Sequence, residues 1–184
     1  MTAPYRPPLP EPAAPLPIGA ILYRSGEAVD HLLLALRDQL AAAGWRVHGL
    51  VQAKSDSSAG SCDLSLVDLA SQRIYPISQQ LGSLSTACCL DLGGLTEAST
   101  ALRGLSPDNA DLVIVNRFAG LEASGQGFAA EMLDLMSRAV PLLTVVPEKH
   151  LAAWQDFTGG LATLLPPNLA ALQTWATGLH RMPA

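Results

Sequence analysis

The residues best suited to chemistry near the start of the chain sit in one turn, YRSGEAVDHLL, from Tyr23 to Leu33. A short apolar run, Ile18 to Tyr23, precedes the turn. Behind it Val29, Leu32, Leu33, Leu36, Leu40 and Ala43 recur at helical spacing, and Gly44 stands where a helix ends. A strand therefore feeds a helix through Arg24, Ser25 and Gly26. At such a junction the unpaired N–H groups of the first helical turn meet the positive end of the helix dipole, which is the chemistry of an anion site. Arg24 adds a cation, while Glu27 and Asp30 put two carboxylates into the same turn. The plainer reading is a capped helix start, with Ser25 as the cap and both acids favouring the dipole without any ligand.

Comparison with the phosphate-binding pattern GxxxxGK[ST] sharpens the choice. In that pattern the lysine carries positive charge to the β- and γ-phosphates and the hydroxyl holds magnesium. Here Gly26 takes one glycine position, Ala28 replaces the other, Val29 stands at the lysine and Asp30 at the hydroxyl. Glu27 and Asp30 repel a polyphosphate unless Arg24 or a metal intervenes.

The elements around this turn predict how it is positioned. Trp45 to Val51 reads as a second strand, joined to the first by a parallel crossover, and Gln52 ends it on the carboxyl edge where open α/β sheets place ligands. Asp111–Asn116 (DLVIVN) and Pro141–Val146 (PLLTVV) are β-branched runs of the kind buried in the centre of a sheet. Cys62–Asp68 and Ile74–Ile77 suggest a hairpin after the polar loop Ala53–Gly60, and helical spacing covers Leu95–Leu105, Phe128–Ala139 and Leu169–His180. The expectation is a three-layer α/β sandwich with a mainly parallel sheet over residues 18–184, behind a flexible Pro-rich arm at 1–17.

Composition excludes several classes. The chain has 184 residues, 49% of them apolar and 15% charged, enough to bury a sizeable core. Its net charge of −5 is spread over both halves without a dense Lys/Arg run, so nucleic acid is not an expected partner. No apolar stretch approaches the roughly 18 to 20 residues of a membrane helix, and the N-terminus lacks the apolar core of a secretory signal, which sets the expectation at cytoplasmic and away from membranes. Three cysteines, Cys62, Cys88 and Cys89, and four dispersed histidines match no zinc spacing. Convergent sulfurs would suit a soft metal, whereas buried thiols are the plainer reading, and no pattern specifies a cofactor. Ser78, Gln79 and Gln80 offer polar groups in a loop that otherwise satisfies its own backbone. Trp154 and Phe157 either close the core or a subunit contact, or form a stacking platform.

The segment DLVIVNRFAGLEASGQGF, from Asp111 to Phe128, resembles the Walker-B region of the cancer-related nucleoside-triphosphatase family. There a buried strand ends in Asp-Glu, followed by an Ile-Gly-Lys-Met-Glu turn and a Ser…Phe helix start. Asn116 and Arg117 stand at the acidic pair, Gly120 at the glycine and Glu122 at the glutamate, with Ser124 and Phe128 following. From about Ile18 to Leu164 the chain more closely resembles a bacterial family of unassigned function, a degenerate relative of those enzymes. The likeness is carried by SGEAVDHLL, GWRVHGLVQ, CDLSLVDLA, ISQQLG, ACCLDLGGL, NRFAGLEASGQGF and AAWQDFTGGLA. In that family the cysteine matching Cys88 is usual, while an arginine stands where this chain has Cys89. Members are often associated with molybdate uptake or molybdenum enzymes, so the resemblance implies an oxyanion or nucleotide ligand in that setting.

Asn116 in place of an acid weakens a magnesium site, and Arg117 in place of the next acid removes a water-orienting base. Arg117 instead offers a planar, permanently charged fork. The sequence thus leads to a non-hydrolysing oxyanion-binding protein for molybdate, tungstate or a phosphate-like ligand, with Arg24, Ser25, Gly26, Glu27, Asp30, Gln52, Asn116, Arg117 and Glu122 as binding residues. The alternatives are a divergent nucleoside triphosphatase or kinase using Glu122 or Asp91 for magnesium, and a regulatory protein with a vestigial nucleotide site. Expected partners are a small anion or nucleotide, with a homo-oligomer left open.

Overall fold

The structure is a computed structural model and describes residues 16–24, 29–53, 64–78 and 90–179. The two most apolar strands occupy its middle. Strands β5 (Leu112–Val115) and β6 (Leu142–Pro147) bury almost every side chain on both faces and lie side by side, as β-branched runs without polar alternation require. Beyond β5 come β2 (Val47–Gln52) and the hairpin of β3 (Ser65–Asp68) and β4 (Ile74–Pro76); beyond β6 come β1 (Ile18–Tyr23) and β7 (Thr163–Leu165). The order among the described residues is β4-β3-β2-β5-β6-β1-β7, parallel except for the antiparallel hairpin at one edge. Two strands, β6 and β5, separate β1 from β2, so the crossover helix between them spans the centre of the sheet.

Alternation along the strands splits the core into two layers. Leu112 and Ile114 of β5 and Leu143 and Val145 of β6 pack under α1 (Asp30–Ala42) and α6 (Leu169–Leu179), through Leu33, Leu36, Leu40, Leu172 and Ala176. Val113 and Val115 face the other way, toward α2 (Leu92–Ser99), α4 (Ala129–Ser137) and α5 (Leu151–Thr158), whose Ala98, Met132, Leu135 and Trp154 complete that layer. The one polar side chain buried within β6, Thr144, donates to the Val115 carbonyl at 2.6 Å and so costs nothing in unpaired groups. The result is the expected three-layer sandwich.

Boundaries shift where side chains compete with the backbone. The second strand starts at Val47, not at Trp45, because Arg46 forks onto Asp111 at the amino end of β5. That hydrogen bond raises the Arg46 pKa further above its usual value. The helix expected over Leu95–Leu105 begins earlier, at Leu92, since the Asp91 carboxylate caps it by accepting from Gly93 N–H at 2.9 Å; it ends in a 3-10 turn, Thr100–Leu102. Leu16 already packs on the core and the Pro17 carbonyl accepts from Leu142 N–H, so both residues belong to the domain and not to the arm; residues 1–15 lie outside the described residues. The short strand β7 and the short helix α3 (Gly120–Ala123) carry too few periodic residues to announce themselves in sequence.

Gly49 sets the spacing of β2 and β5. Its φ is +122°, and a Cβ there would overlap the Ile114 carbonyl oxygen. Gly49→Ala is expected to lower the unfolding free energy by at least ~2 kcal/mol, read as a shift of the urea midpoint; an unchanged midpoint would show that the two strands can separate freely.

Candidate functional site

Four of the residues singled out by sequence converge at the carboxyl ends of β1, β2 and β5. Asn116 N–H donates to the Leu50 carbonyl at 3.0 Å and Phe118 N–H to the Val145 carbonyl at 3.1 Å, so the chain leaving β5 stays pinned to β2 and then to β6. Arg117 stands between these anchors, after a cis Asn116–Arg117 peptide. Its guanidinium donates through Nη1 to the Tyr23 hydroxyl at 2.8 Å, and through Nη2 to Asp30 Oδ1 at 3.3 Å and Gln52 Oε1 at 3.2 Å. Asn116 Nδ2 donates to the same Asp30 Oδ1 at 2.9 Å. The amide orientation follows from chemistry, since only the NH₂ group can face an ionised carboxylate.

Of the five N–H donors of a guanidinium, Nε–H and the second Nη1 hydrogen have no partner among the described residues. The ion pair is half-buried, with side-chain exposures of 33% for Arg117 and 36% for Asp30. Water therefore screens it, and its own contribution to stability is below about 1 kcal/mol. Asn116 is different: it is only 4% exposed, and its Oδ1 is buried without a hydrogen-bond partner among the described residues. Such an atom costs free energy unless something donates to it.

Beside this cluster lies a cavity of 640 Å³, lined by Gln52, Asn116, Arg117 and Glu122 and walled by Leu64, Leu66, Ile77, Leu90, Leu95 and Phe128. It sits between the carboxyl edge of the sheet, the β3–β4 hairpin and the start of α2. Its volume falls within the roughly 300 to 1,000 Å³ typical of small-molecule sites.

Two predicted binding residues do something else. Arg24 points to Glu148, after β6, with Nε 3.0 Å from Oε1 and most of its side chain exposed. A long exposed side chain takes a nearby counter-charge, and this one directly follows β6 in the chain. Glu122, 7% exposed, accepts from Ala119 N–H at 3.0 Å with one oxygen and from Phe128 N–H at 3.2 Å with the other. It ties the α3 turn together, and Gly127, at φ +58°, leaves room for its carboxylate. Ser25, Gly26 and Glu27 lie outside the described residues, as do Cys62, Gln79, Gln80, Cys88 and Cys89. Ser78 supports its loop, its Oγ accepting from Leu64 N–H at 3.1 Å. Trp154 and Phe157 pack on Phe118 with ring centroids 5.0 and 5.1 Å away, which closes the core.

Tyr23 is the contributor that sequence reasoning missed, although its place at the end of β1 was a usable signal. Asp30 faces the Asn116 amide and the Arg117 guanidinium. Among the described residues no group of three or more His, Cys, Asp or Glu could hold a metal.

Sheet order, layers and the position of this edge define an α/β fold of the P-loop nucleoside-triphosphatase type. The chain superposes on the solution structure of a human cancer-related nucleoside triphosphatase with a TM-score of 0.71, covering 91% of this chain and 99% of that one at 15% identity. On the crystal structure of THEP1 from the hyperthermophile Aquifex aeolicus the TM-score is 0.61, with coverage of 88% and 95% and 12% identity. Residues 18–175 match the family described as "Protein of unknown function (DUF2478)", and the chain belongs to that family. It is also 37% identical over 159 residues to the molybdenum import ATP-binding protein ModC 2 of Bradyrhizobium diazoefficiens, a match over 86% of this chain. The chain spans 18% of the length of that curated relative.

Glu122→Gln keeps one acceptor and turns an NH₂ group toward a buried N–H. It is expected to cost about 1–3 kcal/mol of stability in a denaturation curve. An unchanged curve would mean that the carboxylate does not hold the turn.

Proposed function

We propose that this chain is a non-hydrolysing anion-binding domain in molybdenum uptake or homeostasis, holding molybdate, tungstate or a phosphate-like group at Arg117. The observation that carries this reading is the fork itself: a permanently charged group fixed by Tyr23, Asp30 and Gln52 and lining a cavity, with Nε–H and an Nη1 hydrogen unused among the described residues. Gln52 supplies further amide donors, and Asp30 is the resident counter-charge that an incoming anion must share. The molybdenum setting rests on the likeness to a protein whose name places it in molybdenum import. The non-hydrolysing reading is supported by the end of β5, where Asn116 and Arg117 supply neither a magnesium ligand of full charge nor a base.

The nucleoside-triphosphatase fold favours a second reading, a divergent nucleotide-binding enzyme. Magnesium-dependent phosphate release from mixed nucleoside triphosphates supports that reading; no release above background is expected here.

Thermal unfolding in the presence of molybdate, tungstate, sulfate, phosphate and nucleotides tests the primary reading, because a ligand that prefers the folded chain raises its stability, by about 2.7 kcal/mol at a hundredfold excess over Kd. At least one anion is expected to raise Tm in the native chain and to leave Arg117→Ala unmoved. Asp30→Asn removes the competing charge and is expected to tighten anion binding by roughly tenfold. An anion response equal in all three proteins would place the site elsewhere.

A further inference from the structure

The walls of the cavity say more about the ligand than the charge at its mouth does. A tetrahedral inorganic oxyanion is compact and strongly hydrated, and it gains nothing from leucine side chains. Yet the 640 Å³ cavity that Arg117 borders is lined mainly by Leu64, Leu66, Ile77, Leu90, Leu95 and Phe128. An inorganic anion held at the fork would leave most of that volume to water against hydrocarbon. We infer that the ligand of this site is an organic anion: a phosphate, sulfonate or carboxylate group that meets Arg117 and Gln52, carried on a ring-sized apolar body that fills the cavity behind it. The inference rests on the anion-binding reading of Arg117 and narrows its ligand to the organic members of the phosphate-like class, in place of molybdate or tungstate.

Three observations support it together. The volume suits a ring system with one substituent and is several times what a bare oxyanion occupies. Gln52, Asn116 and Arg117 are gathered at the ends of β2 and β5 and the Glu122 carboxylate is taken by backbone N–H groups of the α3 turn, whereas the described residues of the hairpin and the start of α2 contribute only apolar side chains, so the site has a charged end and a greasy end. Finally, Asn116, 4% exposed and lining the same cavity, keeps its Oδ1 buried and without a partner among the described residues, which suits an N–H or O–H on the body of the ligand. Molybdate, tungstate and sulfate carry no such donor.

The distinction is measurable with paired probes that share one anionic group. Inorganic phosphate and phenyl phosphate are titrated calorimetrically into the full chain, in parallel with molybdate and adenosine monophosphate. Phenyl phosphate is expected to bind at least tenfold more tightly than inorganic phosphate. Leu64 and Leu90 are only half-buried, so Leu64→Gln and Leu90→Gln leave the fold intact by circular dichroism. Both are expected to erase the advantage of phenyl phosphate while leaving the affinity for inorganic phosphate within twofold. Arg117→Ala is expected to weaken both probes. If inorganic phosphate or molybdate binds through Arg117 as tightly as phenyl phosphate, and the two glutamine variants change nothing, the organic-anion inference is overturned and the anion site stands. If no probe responds to Arg117→Ala, the anion-binding reading itself falls.

Discussion

A single guanidinium organises the functional edge of this protein. Arg117 leaves the end of β5 and reaches Gln52 on β2, the neighbouring strand, and Tyr23 on β1, two places away on the other side. It also meets Asp30 at the start of α1. Sheet order makes this possible, because β5 lies between β2 on one side and the β6–β1 pair on the other, so a side chain at its end reaches strands on both sides. A planar fork with several fixed donors can serve three acceptors at once, which a lysine ammonium on a flexible stem cannot do with the same precision of direction.

Around that fork the acidic residues are already engaged. Asp30 accepts from Asn116 and Arg117, Glu122 accepts from two backbone N–H groups, Asp91 caps α2 and Asp111 fastens Arg46 at the opposite end of β5. Among the described residues this edge combines a fixed positive fork, amide groups and a largely apolar hollow.

Much of this was legible in sequence because the strongest signals were local. DLVIVN and PLLTVV announce central strands by composition alone, and a strand end locates Gln52, Asn116 and Arg117 on one edge before any coordinates exist. Asp30 followed from the helix that starts behind the first strand. Long-range choices were not legible. Arg24 selects Glu148, a residue distant in the chain, and nothing in its neighbourhood says so. Glu122 looked like a ligand because its type and spacing matched a catalytic motif, whereas its burial and its two backbone donors emerge only once the α3 turn is folded. The apolar walls come from β3, β4 and α2, segments that pack together only in three dimensions, so the cavity has no signature in the sequence.

The central claim, that Arg117 receives an anion at the sheet edge, is tested most directly by nitrogen-resolved NMR of side-chain signals. During a titration with phenyl phosphate, the Arg117 Nε–H and the Gln52 side-chain amide are expected to shift together and saturate at one common concentration. Signals that stay fixed while the probe binds, as followed by calorimetry on the same sample, would contradict the account.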